Sequence, residues 1–118
     1  MKKHQKTGGN HDKYTPETAA LGVNEALKTL EGRWKPFILF QLFGHGICRF
    51  SELERGIPGI TQKMLTQQLR QLEEDGLVSR KSYPVVPPKV EYRLTRWGEE
   101  LCPALDELLT WADKKPSK

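Results

Sequence analysis

A mainly α-helical domain carrying one small β-hairpin is the fold this chain predicts, and three observations carry that reading. Apolar residues recur at helical spacing in three segments, Ala20 to Trp34, Leu65 to Leu72 and Leu101 to Ala112. Strict apolar–polar alternation occurs in one, Val90-Glu91-Tyr92-Arg93-Leu94. Glycine, proline and capping residues punctuate the intervals between them. At 118 residues the chain is sized for one domain. Its apolar share of 36% predicts a thin core, one that a partner subunit could complete.

The elements follow in order. Residues 1–14 are polar, contain Gly8-Gly9-Asn10 and have no apolar side chain between Met1 and Tyr14, which predicts a disordered arm. Thr15-Pro16-Glu17 signals a helix start: a hydroxyl cap, a proline at the first helical position and an acid at the positive end of the dipole. Its apolar stripe, Ala20, Val23, Leu27, Leu30 and Trp34, predicts a helix reaching Trp34. Pro36 opens a second helix, Phe37 to Phe43, whose only polar residue is Gln41; this predicts burial on every side at the centre of the domain. Gly44-His45-Gly46 stops it. A capping box, Ser51-x-x-Glu54, predicts the start of a third helix that ends before Pro58-Gly59.

Thr61 caps a fourth helix running to about Asp75, with Leu65, Leu69 and Leu72 inward and Gly76 at its end. Leu77–Tyr83 and Val90–Leu94 predict two strands, joined by the stiff segment Pro84-Val85-Val86-Pro87-Pro88-Lys89. A last helix from about Thr95 to Trp111 sets Leu101, Leu105, Leu108 and Ala112 on one face, with a kink expected at Pro103. The expected organisation is thus an arm (1–14), a folded domain (15–113) and a tail (114–118).

Charge is unevenly placed. The net +4 divides into an excess of basic residues over 1–13, balance over 14–60, seven basic against four acidic residues over 61–96, and a net-acidic end. A localised basic stretch in a small domain suits a polyanion, although a solvated face has the same signature. The longest apolar run, Phe37 to Phe40, is far shorter than a membrane span, and the N-terminus has no apolar segment resembling a signal peptide. Cys48 and Cys102 are too few for a disulfide framework, which favours a reducing, cytoplasmic setting.

Two short helices joined by Ile57-Pro58-Gly59-Ile60 have helix-turn-helix spacing. With the leucines of the second inward, Gln62, Lys63, Thr66, Gln67 and Arg70 fall on the opposite face, and positions 61–71 carry no acid. Those side chains suit base edges: glutamine pairs with adenine, lysine and arginine with guanine or phosphate, and the threonine methyl meets thymine. The hairpin adds Arg80, Lys81, Lys89 and Arg93, which suits a wing laid on the backbone or in the minor groove; the plainer reading is a hairpin that only closes the core.

Leu27-Lys28-Thr29-Leu30-Glu31-Gly32-Arg33-Trp34, Phe50-Ser51-Glu52-Leu53, Ile57 to Leu69, Leu72 to Val78 and the run Tyr83 to Tyr92 together resemble the HxlR-type winged helix-turn-helix transcriptional regulators. The likeness covers about residues 20 to 112, and Val86-Pro87-Pro88-Lys89-Val90-Glu91-Tyr92 is its most specific part. It implies a prokaryotic DNA-binding homodimer with dimer contacts from the first and last helices. Where members of that family commonly place a cysteine followed by proline, this chain has Leu21-Gly22, so the resemblance implies no thiol sensing there.

The expected DNA-contacting set is Thr61, Gln62, Lys63, Thr66, Gln67 and Arg70 in the major groove, with Lys89 on the backbone or minor groove of a pseudo-palindromic operator. The expected dimer contacts are Val23, Leu27, Leu105, Leu108 and Trp111, because the final stripe has more apolar surface than a small domain leaves wet. Trp34, Trp97 and Trp111 suit core or dimer packing, with an effector pocket as the alternative. Cys48 and Cys102 read as small hydrophobes, though Arg49 beside Cys48 could lower its pKa. His4, His11 and Asp12 lack tetrahedral metal spacing, and His45 reads as a turn residue. With no phosphate loop, nucleophile elbow or paired histidines, the expectation is no enzyme, no cofactor and no metal. The alternatives are a winged domain that binds protein instead of DNA, or a regulator with an added ligand or thiol switch.

Overall fold

The computed structural model describes residues 13–117, so most of the expected arm, including His4, His11 and Asp12, lies outside the described residues. The chain divides into two units, Met1–Glu31 and Gly32–Lys118. The first contains α1 (Pro16–Thr29). Thr15 caps it reciprocally: its Oγ1 accepts from the Thr18 amide at 3.1 Å, while Thr18 Oγ1 accepts from the Thr15 amide at 2.9 Å. The helix ends five residues before Trp34. Gly32 adopts φ +128°, a backbone conformation no helix continues through, and Trp34 instead precedes the next helix. Sequence periodicity had therefore carried the stripe across a break.

The second unit holds α2 (Lys35–His45), β1 (Cys48–Arg49), α3 (Phe50–Gly56), α4 (Gln62–Glu74), β2 (Val78–Tyr83), β3 (Lys89–Leu94) and α5 (Arg96–Asp113). Its core is built from Ile38, Leu39 and Leu42 of α2, Leu53 and Ile57 around α3, the three leucines of α4, and Leu77 and Val78 leading into β2. The expectation that α2 is buried all round fails on one face: Ile38 and Leu39 are fully buried, whereas Phe37 is 53% and Phe40 37% exposed. Only one stripe of α2 can meet the α3–α4 pair, and aromatic residues on the opposite side do not change that geometry.

Helix α3 also starts earlier than expected. The working cap is Glu52, whose Oε1 accepts from the Arg49 amide at 2.7 Å, rather than a Ser51–Glu54 box. The cause is β1, a two-residue strand that the sequence did not announce; it ends at Arg49, so the helix begins at Phe50. The sheet is antiparallel in the order β1-β3-β2, with Cys48 opposite Tyr92, Arg49 opposite Glu91 and Lys81 opposite Glu91. One face of the β2–β3 pair buries Val78, Tyr92 and Leu94, and the other carries Lys81, Tyr83, Lys89, Glu91 and Arg93.

A hydroxyl joins the hairpin to α5. Thr95 Oγ1 donates to the Gly76 carbonyl at 2.6 Å and accepts from the Gly98 amide at 3.0 Å, capping α5 while fastening it to the turn after α4. The helix runs through Pro103 to Asp113.

Candidate nucleic-acid interface

Helix α4 owes its orientation to its two faces. Leu65, Leu69 and Leu72 are buried, which turns Gln62, Lys63, Thr66, Gln67 and Arg70 outward, and all five are exposed. Thr61 Oγ1 accepts from the Met64 amide at 3.1 Å, so the cap expected at the helix start is present. The preceding turn places Gly59 at φ +89°, a conformation that favours glycine, with Trp34 of the α2 start against it. Upstream, the Gln41 side-chain amide donates to the Gly56 carbonyl at 3.2 Å, tying α2 to the last turn of α3. Gln41, the one polar residue between Phe37 and Phe43, thus holds the first helix of the pair in place.

The five outward residues line one open cavity of about 500 Å³, and Phe50 forms part of its wall. Sequence reading had assembled the polar members of that surface but missed Phe50, because nothing in helical spacing indicates that the first residue of α3 borders the face of α4. The wall is chemically mixed, with amide donors and acceptors, two permanent cations, a methyl-bearing hydroxyl and an aromatic edge. Such a set can read base edges and a thymine methyl together.

Lys89 lies elsewhere, at the start of β3. Its Nζ pairs with Glu91 Oε2 at 3.4 Å and stands 4.8 Å from the centroid of the Tyr83 ring. Lys81 approaches the same ring at 5.1 Å, and the Tyr83 hydroxyl donates to Glu91 Oε1 at 2.9 Å. The Tyr83 hydrogen bond holds the Glu91 carboxyl below the usual glutamate range, and Lys89 and Arg93 act in the same direction. Arg80, Lys81 and Arg93 are exposed, so the hairpin carries more free cation than Lys89 alone supplies.

Cys48 is buried, and its thiol is pushed up, first by burial and then by the negative charge of Glu52. This is opposite to the lowering expected from Arg49, and it leaves the sulfur protonated and poorly nucleophilic near neutral pH. Cys102 is partly buried in α5. Among the described residues, no group of three histidines, cysteines or acids is placed to hold a metal ion, and no helix is long and apolar enough to cross a membrane.

The surfaces expected for dimer contact are open to solvent in the single chain. On α1, Val23 and Leu27 are exposed; on α5, Leu108 and Trp111 are exposed and Leu105 is partly so. Of the three tryptophans, Trp97 and Trp111 are exposed on α5, while Trp34 packs against Phe37 at a ring separation of 5.7 Å.

The family model for HxlR-like helix-turn-helix proteins matches residues 29–118. The chain belongs to this family. Among relatives of the HxlR-like chain, the HTH-type transcriptional regulator YtcD of Bacillus subtilis is 52% identical over 91 residues, covering 77% of this chain and 71% of that protein. Among solved structures, a transcriptional regulator of the MarR family from Enterococcus faecalis superposes with a TM-score of 0.77 at 42% identity, covering 89% of this chain and 92% of the other. The redox regulator HypR in its reduced form superposes at 0.73 with 43% identity, over 78% and 90% of the two chains. These likenesses bear out the winged helix-turn-helix architecture, and the HxlR-type likeness of the hairpin motif with it.

Proposed function

We propose that this HxlR-like protein is a sequence-specific DNA-binding transcriptional regulator that acts as a cytoplasmic homodimer and has no catalytic role. Helix α4 enters the major groove through Gln62, Lys63, Thr66, Gln67 and Arg70, with Thr61 capping the helix close to a phosphate. Lys89 and the hairpin lie on the backbone or in the minor groove. The observation that carries this reading is the α4 face: five groups able to contact bases or phosphate border one open groove, and residues 61–71 include no acid to repel a phosphate. The exposed apolar residues of α1 and α5 support a second copy as the partner that covers them. A two-fold dimer would take a pseudo-palindromic operator, with half-sites about one helical turn apart (roughly 10 bp) or a multiple of it.

The deciding experiment is a gel shift of the protein with its own upstream intergenic DNA across a salt series, with unrelated duplex as competitor. Retention of the specific band against competitor, with affinity falling steeply as salt rises, is the expected result. Binding that ignores both salt and duplex sequence would overturn the proposal in favour of a protein-interaction module. Repeating the titration after oxidant treatment separates a plain regulator from a thiol-switched one. The buried, protonated Cys48 and the Leu21-Gly22 pair favour the plain form.

A further inference from the structure

The outer face of the sheet is organised around a single carboxylate. Glu91 lies in the central strand, directly opposite Arg49 on one side and Lys81 on the other, so one row across three strands reads cation, anion, cation. Its two oxygens are separately engaged, Oε1 by the Tyr83 hydroxyl at 2.9 Å and Oε2 by Lys89 Nζ at 3.4 Å. Tyr83 is the direct cross-strand partner of Lys89, and its ring has the ammonium groups of both Lys89 and Lys81 within about 5 Å, at 4.8 and 5.1 Å. Arg93, two residues along β3, lies on the same face.

Like charges set opposite one another destabilise a sheet, and four cations on so small a face would push their long side chains apart into many rotamers. A carboxylate at the centre of the cluster removes that repulsion and gives Lys89 a defined position. It does so without exhausting the lysine: an ammonium has three donors, and the contact to Glu91 occupies one. The Tyr83 ring adds a second attraction on the same ammonium, and its hydroxyl fixes the carboxylate.

We propose that Glu91, fixed by Tyr83, is a positioning residue for DNA binding: it holds Lys89 in a preorganised place on the outer face of the hairpin, where the ammonium meets a backbone phosphate. The inference rests on the DNA-binding reading above. It also makes a prediction contrary to simple charge counting. An acid on a DNA-facing surface should repel the duplex, and its removal should then tighten binding. If Glu91 positions Lys89, its removal weakens binding instead.

The test uses the full-length protein and fluorescence anisotropy on a matched and a scrambled duplex over a salt series, with thermal unfolding of each variant as a control. Glu91→Gln and Tyr83→Phe are each expected to lower affinity for both duplexes by about two- to fivefold, the range of an exposed charge-assisted contact. Each should also reduce the dependence of log K on log salt by less than one phosphate's worth, about 0.9. In a Lys89→Met background the same two substitutions should have almost no further effect, because their target is gone. Tyr83→Phe changes no charge and keeps the ring, so it isolates the hydroxyl's grip on Glu91. Tighter binding by Glu91→Gln overturns the proposal in favour of plain repulsion. Equal losses for Tyr83→Phe with and without Lys89 overturn it in favour of a purely structural role. A wild-type protein that binds neither duplex at any salt defeats the DNA-binding reading itself, an outcome distinct from both.

Discussion

The amide of Gln41 and the carbonyl of Gly56 meet at 3.2 Å, joining the middle of α2 to the end of α3. An added Cβ at position 56 would stand 2.6 Å from Gln41 Oε1 and 2.9 Å from its Cδ, so the flexible Gln41 side chain would have to move aside. Gly56→Ala therefore displaces the amide and breaks the contact, at about 1–2 kcal/mol, and Gln41→Ala removes it directly for about 1 kcal/mol. Because both act on one interaction, the double variant should lose less than the sum of the two. Urea unfolding of the four proteins of the cycle checks this.

Of the glycines among the described residues, Gly98 has the least room for a side chain. A methyl there would run into the Leu77 carbonyl oxygen, which is backbone and also accepts from the Thr95 amide at 3.0 Å. Gly98→Ala should destabilise the protein by about 3 kcal/mol, the upper part of the overpacking range. Serine at the same position should do no better, since the obstacle is the Cβ. Thermal unfolding of both variants gives the answer.

On the α4 groove, Lys63→Ala should weaken binding to a cognate operator by about 1–3 kcal/mol if the lysine meets a base. Phe50 makes a separate prediction. If its ring touches a thymine methyl, replacing one thymine of the half-site by uracil costs affinity in the wild type. The same replacement costs nothing in Phe50→Leu if the contact depends on the ring's reach. A scan of single uracil substitutions against both proteins locates the position or shows there is none.

Acidification should act through the hairpin. The Glu91 carboxyl is held below the usual glutamate value of about 4.3 by its Tyr83 hydrogen bond and then by Lys89 and Arg93. Its folded-state pKa is lowered, so its contribution to stability is complete above the unfolded value and is lost as pH falls through the lowered one. The melting temperatures of wild type and Glu91→Gln should accordingly differ most near neutrality and converge in strong acid. A gap that stays constant down to pH 2 would contradict this.

The exposed stripe of α5 should report on assembly. Leu108→Glu places a charge on the face where Leu108 is 52% and Trp111 71% exposed. The expected outcome is a shift from dimer to monomer in light scattering at micromolar concentration, with a joint loss of operator affinity. The far-ultraviolet spectrum of the helices should remain. An unchanged mass would assign the dimer contact elsewhere.

Sequence legibility followed the length scale of each signal. Helix α4 was readable in full, because Thr61, the 4-and-3 leucine spacing and Gly76 all mark one element, and the outward face followed from the inward one. The strand Lys89–Leu94 was readable from the alternation of Val90, Tyr92 and Leu94. Two residues are too few for a period, so β1 was invisible, and with it the true start of α3 at Phe50. The stripe reaching Trp34 misled because spacing is counted through a break as readily as through a helix, and Gly32 was the signal against it. Phe37 and Phe40 show that composition does not settle which face of a helix is covered. The groove wall at Phe50 and the Tyr83–Glu91–Lys89 cluster depend on pairings between elements, which no single segment records.

Arg49 closes β1 and, with no intervening residue, occupies the N-cap position of α3, its amide held by Glu52. The same sheet that supports the hairpin therefore leads straight into the helix pair, so the interval between the α4 surface and the hairpin is set within one folded unit. On the proposed reading, a base pair inserted within one half-site would put either the α4 contact or the hairpin contact out of step. On the same reading, tolerance for variable spacing would come from between half-sites, where the two copies of the proposed dimer meet.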